Sequence, residues 1–169
     1  WGGWFVTLGT FLGNNLSATG GQIAMAFSTQ SWGAIIAPVF IGLIADRYFN
    51  AEKILGVLHL LGCGLLLLMS QTNDFSVFYL YVFSYMLLYM PTLALVNSVS
   101  FNQMNDTASE FPLIRTFGTI GWIISGLVIS YVFGWDAQES IVSGALSNTF
   151  KMVALASLVL GIFSFKLPK

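Results

Sequence analysis

The stretch Phe111 to Trp122, FPLIRTFGTIGW, decides how this chain is read, because it sets one basic side chain, Arg115, at the head of a long apolar run. In a helix, residues three and four apart share a face. Arg115, Thr119, Trp122 and Gly126 then form one stripe, while Ile114, Phe117, Ile120 and Ile124 cover the other sides. A guanidinium, a hydroxyl and an indole in line suit a flat, hydrogen-bonding solute: the first two fix its polar edges and the indole stacks on its face. The alternative is an interfacial anchor. Arg115 lies within about one turn of the start of the run, from where it can reach lipid phosphates and serve only orientation. Position alone favours the anchor.

The composition around this stretch sets the class. A soluble domain carries roughly 25% charged residues; here 8% of the 169 residues are charged and 56% are hydrophobic, with a mean hydropathy of +0.81. The chain is therefore expected to be an all-α membrane protein. Six Lys and Arg residues and a net charge of -1 leave no basic surface for nucleic acid. A single cysteine, Cys63, excludes an internal disulfide. The chain opens at Trp1, already inside an apolar run, which reads as a first segment with its beginning missing.

Polar and charged clusters divide the chain into six apolar segments: Trp1 to Leu12, Gln22 to Ala45, Ile54 to Met69, Phe75 to Phe101, Phe111 to Trp135, and Phe150 to Phe165. Most approach the ~20 residues that cross a bilayer as a helix. Cytoplasmic loops retain Lys and Arg. Arg47, Lys53, Arg115, Lys166 and Lys169 fall on one side and only Lys151 on the other, so the first side, with both ends of the chain, is expected to be cytoplasmic.

Several segments are interrupted well inside the apolar run: Pro38 in the second, Pro91 in the fourth, and Gly118, Gly121 and Gly126 in the fifth. Breaks at membrane depth are tolerated beside protein or a water-filled cavity, which makes them markers of a transport path. Gly33-x3-Ala37 and the Gly62-Cys63-Gly64 cluster read instead as close packing. Tyr81, Tyr85, Tyr89 and Thr92 form a second stripe on the fourth segment, and their hydroxyls suit a wet cavity better than lipid. Asn97 and Gln30 add uncharged polar groups at depth. Trp4, Thr7 and Phe11 make a similar stripe in the first segment.

Little here suggests an enzyme. His59 and Cys63 stand four apart, but two ligands do not make a metal site, and a buried His paired with a backbone or hydroxyl group is the better reading. No nucleophile with its base, phosphate loop or carboxylate pair is recognisable. No metal and no cofactor are expected.

Gly42-Leu-Ile-Ala-Asp46-Arg47 resembles the first part of the signature that major facilitator transporters carry between helices two and three. WGGWFVTLGTFLG at Trp1 to Gly13, ADRYFNAEK at Ala45 to Lys53, YMPTLALVNSVSF at Tyr89 to Phe101 and FPLIRTFGTIGW at Phe111 to Trp122 together resemble the nucleoside:proton symporter family of that superfamily. The resemblance covers the chain from end to end. It implies one domain, residues 1–169, that is the amino-terminal six-helix bundle of a twelve-helix transporter, lacking part of its first helix and partnered by a carboxy-terminal six-helix half. It also implies nucleoside and proton as the transported species, and residence as a multi-pass protein in lipid, in the cell's inner membrane.

By the same resemblance, Arg115, Thr119 and an aromatic at Trp122 contribute to nucleoside binding, with Tyr89 and Trp4 as further contacts, and Gly42, Asp46 and Arg47 belong to the cytoplasmic gate. All seven acidic residues fall in loops or at segment edges, so the proton carrier is expected in the second half. Two rival readings remain: a facilitator for a sugar or oligosaccharide, since stacking plus polar edges suits sugars too, and a non-transporting six-helix interaction module.

Overall fold

The computed structural model describes residues 1–44 and 50–168, with 38–44 described by backbone alone. Helical turns over residues 2–7 lead into α1 (Leu8–Asn15), followed by α2 (Gly20–Ile44), α3 (Ala51–Gln71), α4 (Phe75–Asn102), α5 (Thr107–Leu127), the short α6 (Gln138–Val142) and α7 (Ser147–Ser164). α5 runs on as a π-helical turn, Val128–Phe133. The described residues contain no strand. Among the described residues, four helices, α3, α4, α5 with its π turn, and α7, are long and apolar enough to cross a membrane.

The helix starts are set by local side-chain chemistry. At α2, the backbone N–H of Thr19 donates to Gln22 Oε1 at 2.8 Å and that of Gln22 to Thr19 Oγ1 at 3.3 Å, a reciprocal cap that satisfies orphan donors. Asp74 accepts from the Val77 N–H at the start of α4. Asp106 accepts from the Ala108 N–H while its own N–H donates to Glu110. This last cap starts α5 at Thr107, four residues before the expected Phe111, and shortens the loop read at Asn102 to Glu110. The expected loop Asp136 to Asn148 likewise holds α6, and α7 begins at Ser147 rather than Phe150.

The core is built by α1, α3, α4 and α7. Trp4, Leu8, Leu12, Leu66, Met69, Phe78, Met86, Leu146 and Phe150 are fully or almost fully buried, and the Phe150 ring touches those of Trp4, Phe11 and Phe78. α3 packs mainly on α7 and α4, and α2 on α4. Small residues permit these approaches. A Cβ on Gly56 would come within 3.0 Å of the Gly161 carbonyl oxygen, and one on Gly33 within 2.7 Å of the Met86 carbonyl oxygen. The packing expected at Gly33-x3-Ala37 is thus the α2–α4 seam.

α5 differs from the rest. Its span is 6% buried, against 39% for α3 and for α4 and 33% for α7. Leu113, Phe117, Ile123 and Leu127 are all half exposed or more.

Candidate functional site

The Phe111-to-Trp122 stretch reaches the site through the pairing of α4 and α5. The end of α4 meets the start of α5 where the Phe101 and Phe111 rings lie 4.6 Å apart. Above that contact the two helices leave a groove of about 750 Å³. Arg115, Thr116, Thr119 and Trp122 line it from α5, Leu93, Val96 and Asn97 from α4, and Trp1 adjoins them. Arg115, Thr119 and Trp122 of the stripe thus lie along one groove wall, while its last member, Gly126, lines a different crevice beside Thr7. Ile114 also lines it, and Ile124 lines the neighbouring cavity, so these two do not point away as the stripe had suggested; Phe117, 72% exposed, does.

Arg115 carries the groove's positive charge. Its guanidinium carbon stands 5.9 Å from the Phe111 ring centre, a cation–π contact. Among the described residues, neither Arg115 nor Thr119 has a side-chain hydrogen-bond partner. The Thr116 hydroxyl, in contrast, donates to the Pro112 carbonyl at 2.9 Å. The groove therefore offers unengaged donors and a hydroxyl to whatever enters it.

A second cavity of about 520 Å³ continues from the first, sharing Trp1, Gly118 and Trp122 and adding Tyr89, Gly121 and Ser125. Trp1 and Trp122 meet edge to face at 5.8 Å, Trp1 and Tyr89 at 5.9 Å, and Tyr85 stacks on Tyr89 at 5.6 Å. This end is aromatic. Gly118 and Gly121 leave open space beside the indole, so a flat group can lie against α5.

Trp4 is not part of either cavity. It is wholly buried among Phe5, Tyr85 and Phe150, because the stripe Trp4, Thr7, Phe11 turns toward the core. Trp1 takes the place expected of it. The tyrosine ladder divides in the same way: Tyr85 is buried in the core, and Tyr89 reaches the cavity. Pro91 lines a smaller crevice of about 290 Å³ between α2 and α4, which shares Leu93 and Asn97 with the groove. Asp46 and Arg47 lie outside the described residues, and Gly42 is described only as α2 backbone.

His59 is held as its environment suggested. Its Nδ1 lies 3.3 Å from the Ser157 hydroxyl, which donates to the His59 carbonyl at 2.9 Å and ties α3 to α7. The described residues contain no cluster able to hold a metal.

The chain is similar to known proteins in sequence and fold. The family model described as "Nucleoside H+ symporter" matches residues 1–169. The putative nucleoside transporter YegT of Escherichia coli (strain K12) is 36% identical over 171 residues, covering 99% of this chain and 39% of that protein. The xanthosine permease of the same organism is 34% identical, covering 100% of this chain and 39% of the permease. The crystal structure of the nucleoside transporter NupG superposes with a TM-score of 0.88 at 28% identity, over 100% of this chain and 40% of that one. The chain thus spans about two-fifths of the length of these relatives. A match over every residue, with the fold of a solved transporter, shows that this multi-pass membrane chain belongs to the nucleoside H+ symporter family.

Proposed function

We propose that the chain forms the amino-terminal six-helix half of a major facilitator transporter that takes up nucleosides with protons by alternating access. The observation that carries the reading is the single groove that holds Arg115, Thr119 and Trp122 together and continues into an aromatic cavity at Trp1 and Tyr89. A nucleoside has both parts such a site needs, a flat ring to stack and hydroxyls and base edges to hydrogen-bond. The relatives named as a nucleoside transporter and a xanthosine permease support the same substrate class.

Binding here uses groups placed in advance. Arg115 and Thr119 meet the solute's polar atoms, Trp122 stacks on its ring, and Tyr89 borders the ring's far side. Away from bulk water these hydrogen bonds strengthen. Two six-helix bundles rocking about this site expose it to each side in turn, with the groove wall of α5 that carries Arg115, Thr119 and Trp122 turned toward the carboxy-terminal bundle. Gly42, Asp46 and Arg47 latch the cytoplasmic side. The distribution of Lys and Arg supports both ends of the chain facing the cytoplasm, and membership of the family supports residence in the inner membrane.

The proton requires a further group. Asp74 and Asp106 cap helices, and Glu52 and Glu110 stand in first turns, whereas a proton carrier normally lies within the membrane. The carrier is an intramembrane carboxylate of the second half. The test is uptake of labelled uridine and adenosine by cells expressing the full-length parent, beside Arg115→Ala at matched membrane expression. Saturable parent uptake, competed by nucleosides and not by sugars and lost in Arg115→Ala, is the expected result. Competition by sugars alone overturns the substrate class.

A further inference from the structure

The groove has a polar end and an aromatic end, and helix pairing fixes where each lies. Asn97 precedes Phe101 by four residues and Arg115 follows Phe111 by four. The two rings touch, so in this antiparallel pair Asn97 and Arg115 each stand one turn along from the same contact, at the same depth. Both line the same groove. Trp122 is seven residues beyond Arg115, about 10 Å further along the axis, beside Trp1.

The polar end is rich in donors and short of strong acceptors. Arg115 supplies donors only; the Thr116 hydroxyl gives its proton to Pro112 and keeps only its lone pairs, and the Thr119 hydroxyl lies one turn further along. The Asn97 carboxamide is partly buried and, among the described residues, has no hydrogen-bond partner. Facing an open groove, the amide is free to pair with whatever enters, and a solute exchanges a water contact for a hydrogen bond to it. Each hydroxyl of a vicinal diol both donates and accepts, so a diol is matched by an amide oxygen facing a guanidinium.

We propose that Asn97 is a specificity-determining residue of this site: its amide oxygen accepts from one ribose hydroxyl while Arg115 donates to the neighbouring one, and the base lies toward Trp122. This rests on the nucleoside reading above and deepens it by giving the substrate a direction in the groove. The reverse direction would set the diol among the Trp1, Trp122 and Tyr89 rings and away from the guanidinium, and the flat base away from the indole faces. The site therefore selects ribonucleosides over sugars lacking the diol.

The experiment measures how unlabelled uridine and 2',3'-dideoxyuridine compete with labelled uridine uptake by the full-length parent, Asn97→Ala, and Asn97→Leu, which keeps the side chain's volume. Surface expression is matched throughout. In the parent, loss of the diol weakens competition by about tenfold to a hundredfold, as for a hydrogen-bonding group left unpaired. In both variants uridine weakens by part of that factor, the share of the hydroxyl that Asn97 accepts from, while dideoxyuridine, which lacks that hydroxyl, weakens no further, the non-additivity of partners in direct contact. Unchanged uridine competition in the variants overturns the inference alone, and so does a full additional penalty for dideoxyuridine, which would place Asn97 on the base. A parent that takes up neither uridine nor adenosine overturns the nucleoside reading and this inference with it.

Discussion

α3 and α5 are each 21 residues long and each apolar enough to span a membrane, yet one is built into the bundle and the other lies along its edge. α3 buries Leu55, His59, Cys63, Leu66 and Met69, whereas α5 buries nothing. The difference lies in small residues and in what they face. Gly56 and Gly62 of α3 sit against Gly161 and Tyr85, while Gly118, Gly121 and Gly126 of α5 face open space. In lipid, where apolar surface alone does not drive helices together, such close approaches decide which helices pack. One helix holds the bundle; the other carries the polar stripe and keeps it accessible.

Substitutions on the two sides should separate cleanly. Phe150→Ala, which empties a fully buried site ringed by Trp4, Phe11 and Phe78, should cost about 3–5 kcal/mol. Phe117→Ala on the exposed flank of α5 should stay within about 0.5 kcal/mol. Thermal unfolding of the detergent-solubilised full-length protein measures both, and equal losses would break the distinction. At the α3–α7 seam, Gly56→Ala forces a Cβ to within 2.8 Å of the Phe165 ring and 3.0 Å of the Gly161 carbonyl oxygen, and should cost roughly 1–3 kcal/mol as overpacking does. Gly121→Ala, with nothing within 4 Å, should not destabilise.

A smaller effect sharpens the contrast at the start of α5. The Ser109 hydroxyl and the Ala108 N–H hold the Asp106 carboxyl below its ordinary value. A lowered pKa in the folded state gives a stabilisation that is complete above the unfolded carboxylate's pKa and lost as pH falls through the folded one. Hydrogen exchange of the Ala108 amide, corrected for intrinsic rate, should therefore quicken on acidification in the parent. In Asp106→Ala it should be fast throughout; an acid response that persists there would remove Asp106 as the cause.

The sequence carried the helical class and the face shared by Arg115, Thr119 and Trp122, because both depend only on spacing within one helix. Asn97 stood out as a polar group at depth, but its place opposite Arg115 depends on the Phe101–Phe111 contact, which is tertiary. Trp4 lies in the core rather than beside the groove for a related reason: a stripe shows that residues share a face and not which face turns inward. The start of α5 was missed because its polar cap resembles a loop, and that of α7 because its first turn is the polar run Ser147, Asn148, Thr149. Hydropathy, which scarcely separates α3 from α5, could not show that α5 is unburied.

The central claim is that one face of α5 binds the solute while another contributes little to this half's own fold. The direct measurement is labelled uridine uptake by the full-length parent, Arg115→Ala, Thr119→Ala and Phe117→Ala, each matched for surface expression and thermal stability. The account predicts uptake reduced by about a hundredfold or more in Arg115→Ala and about tenfold in Thr119→Ala, in line with lost charged and neutral hydrogen bonds, with Phe117→Ala close to the parent. Full uptake by Arg115→Ala would make that residue an interfacial anchor and contradict the account.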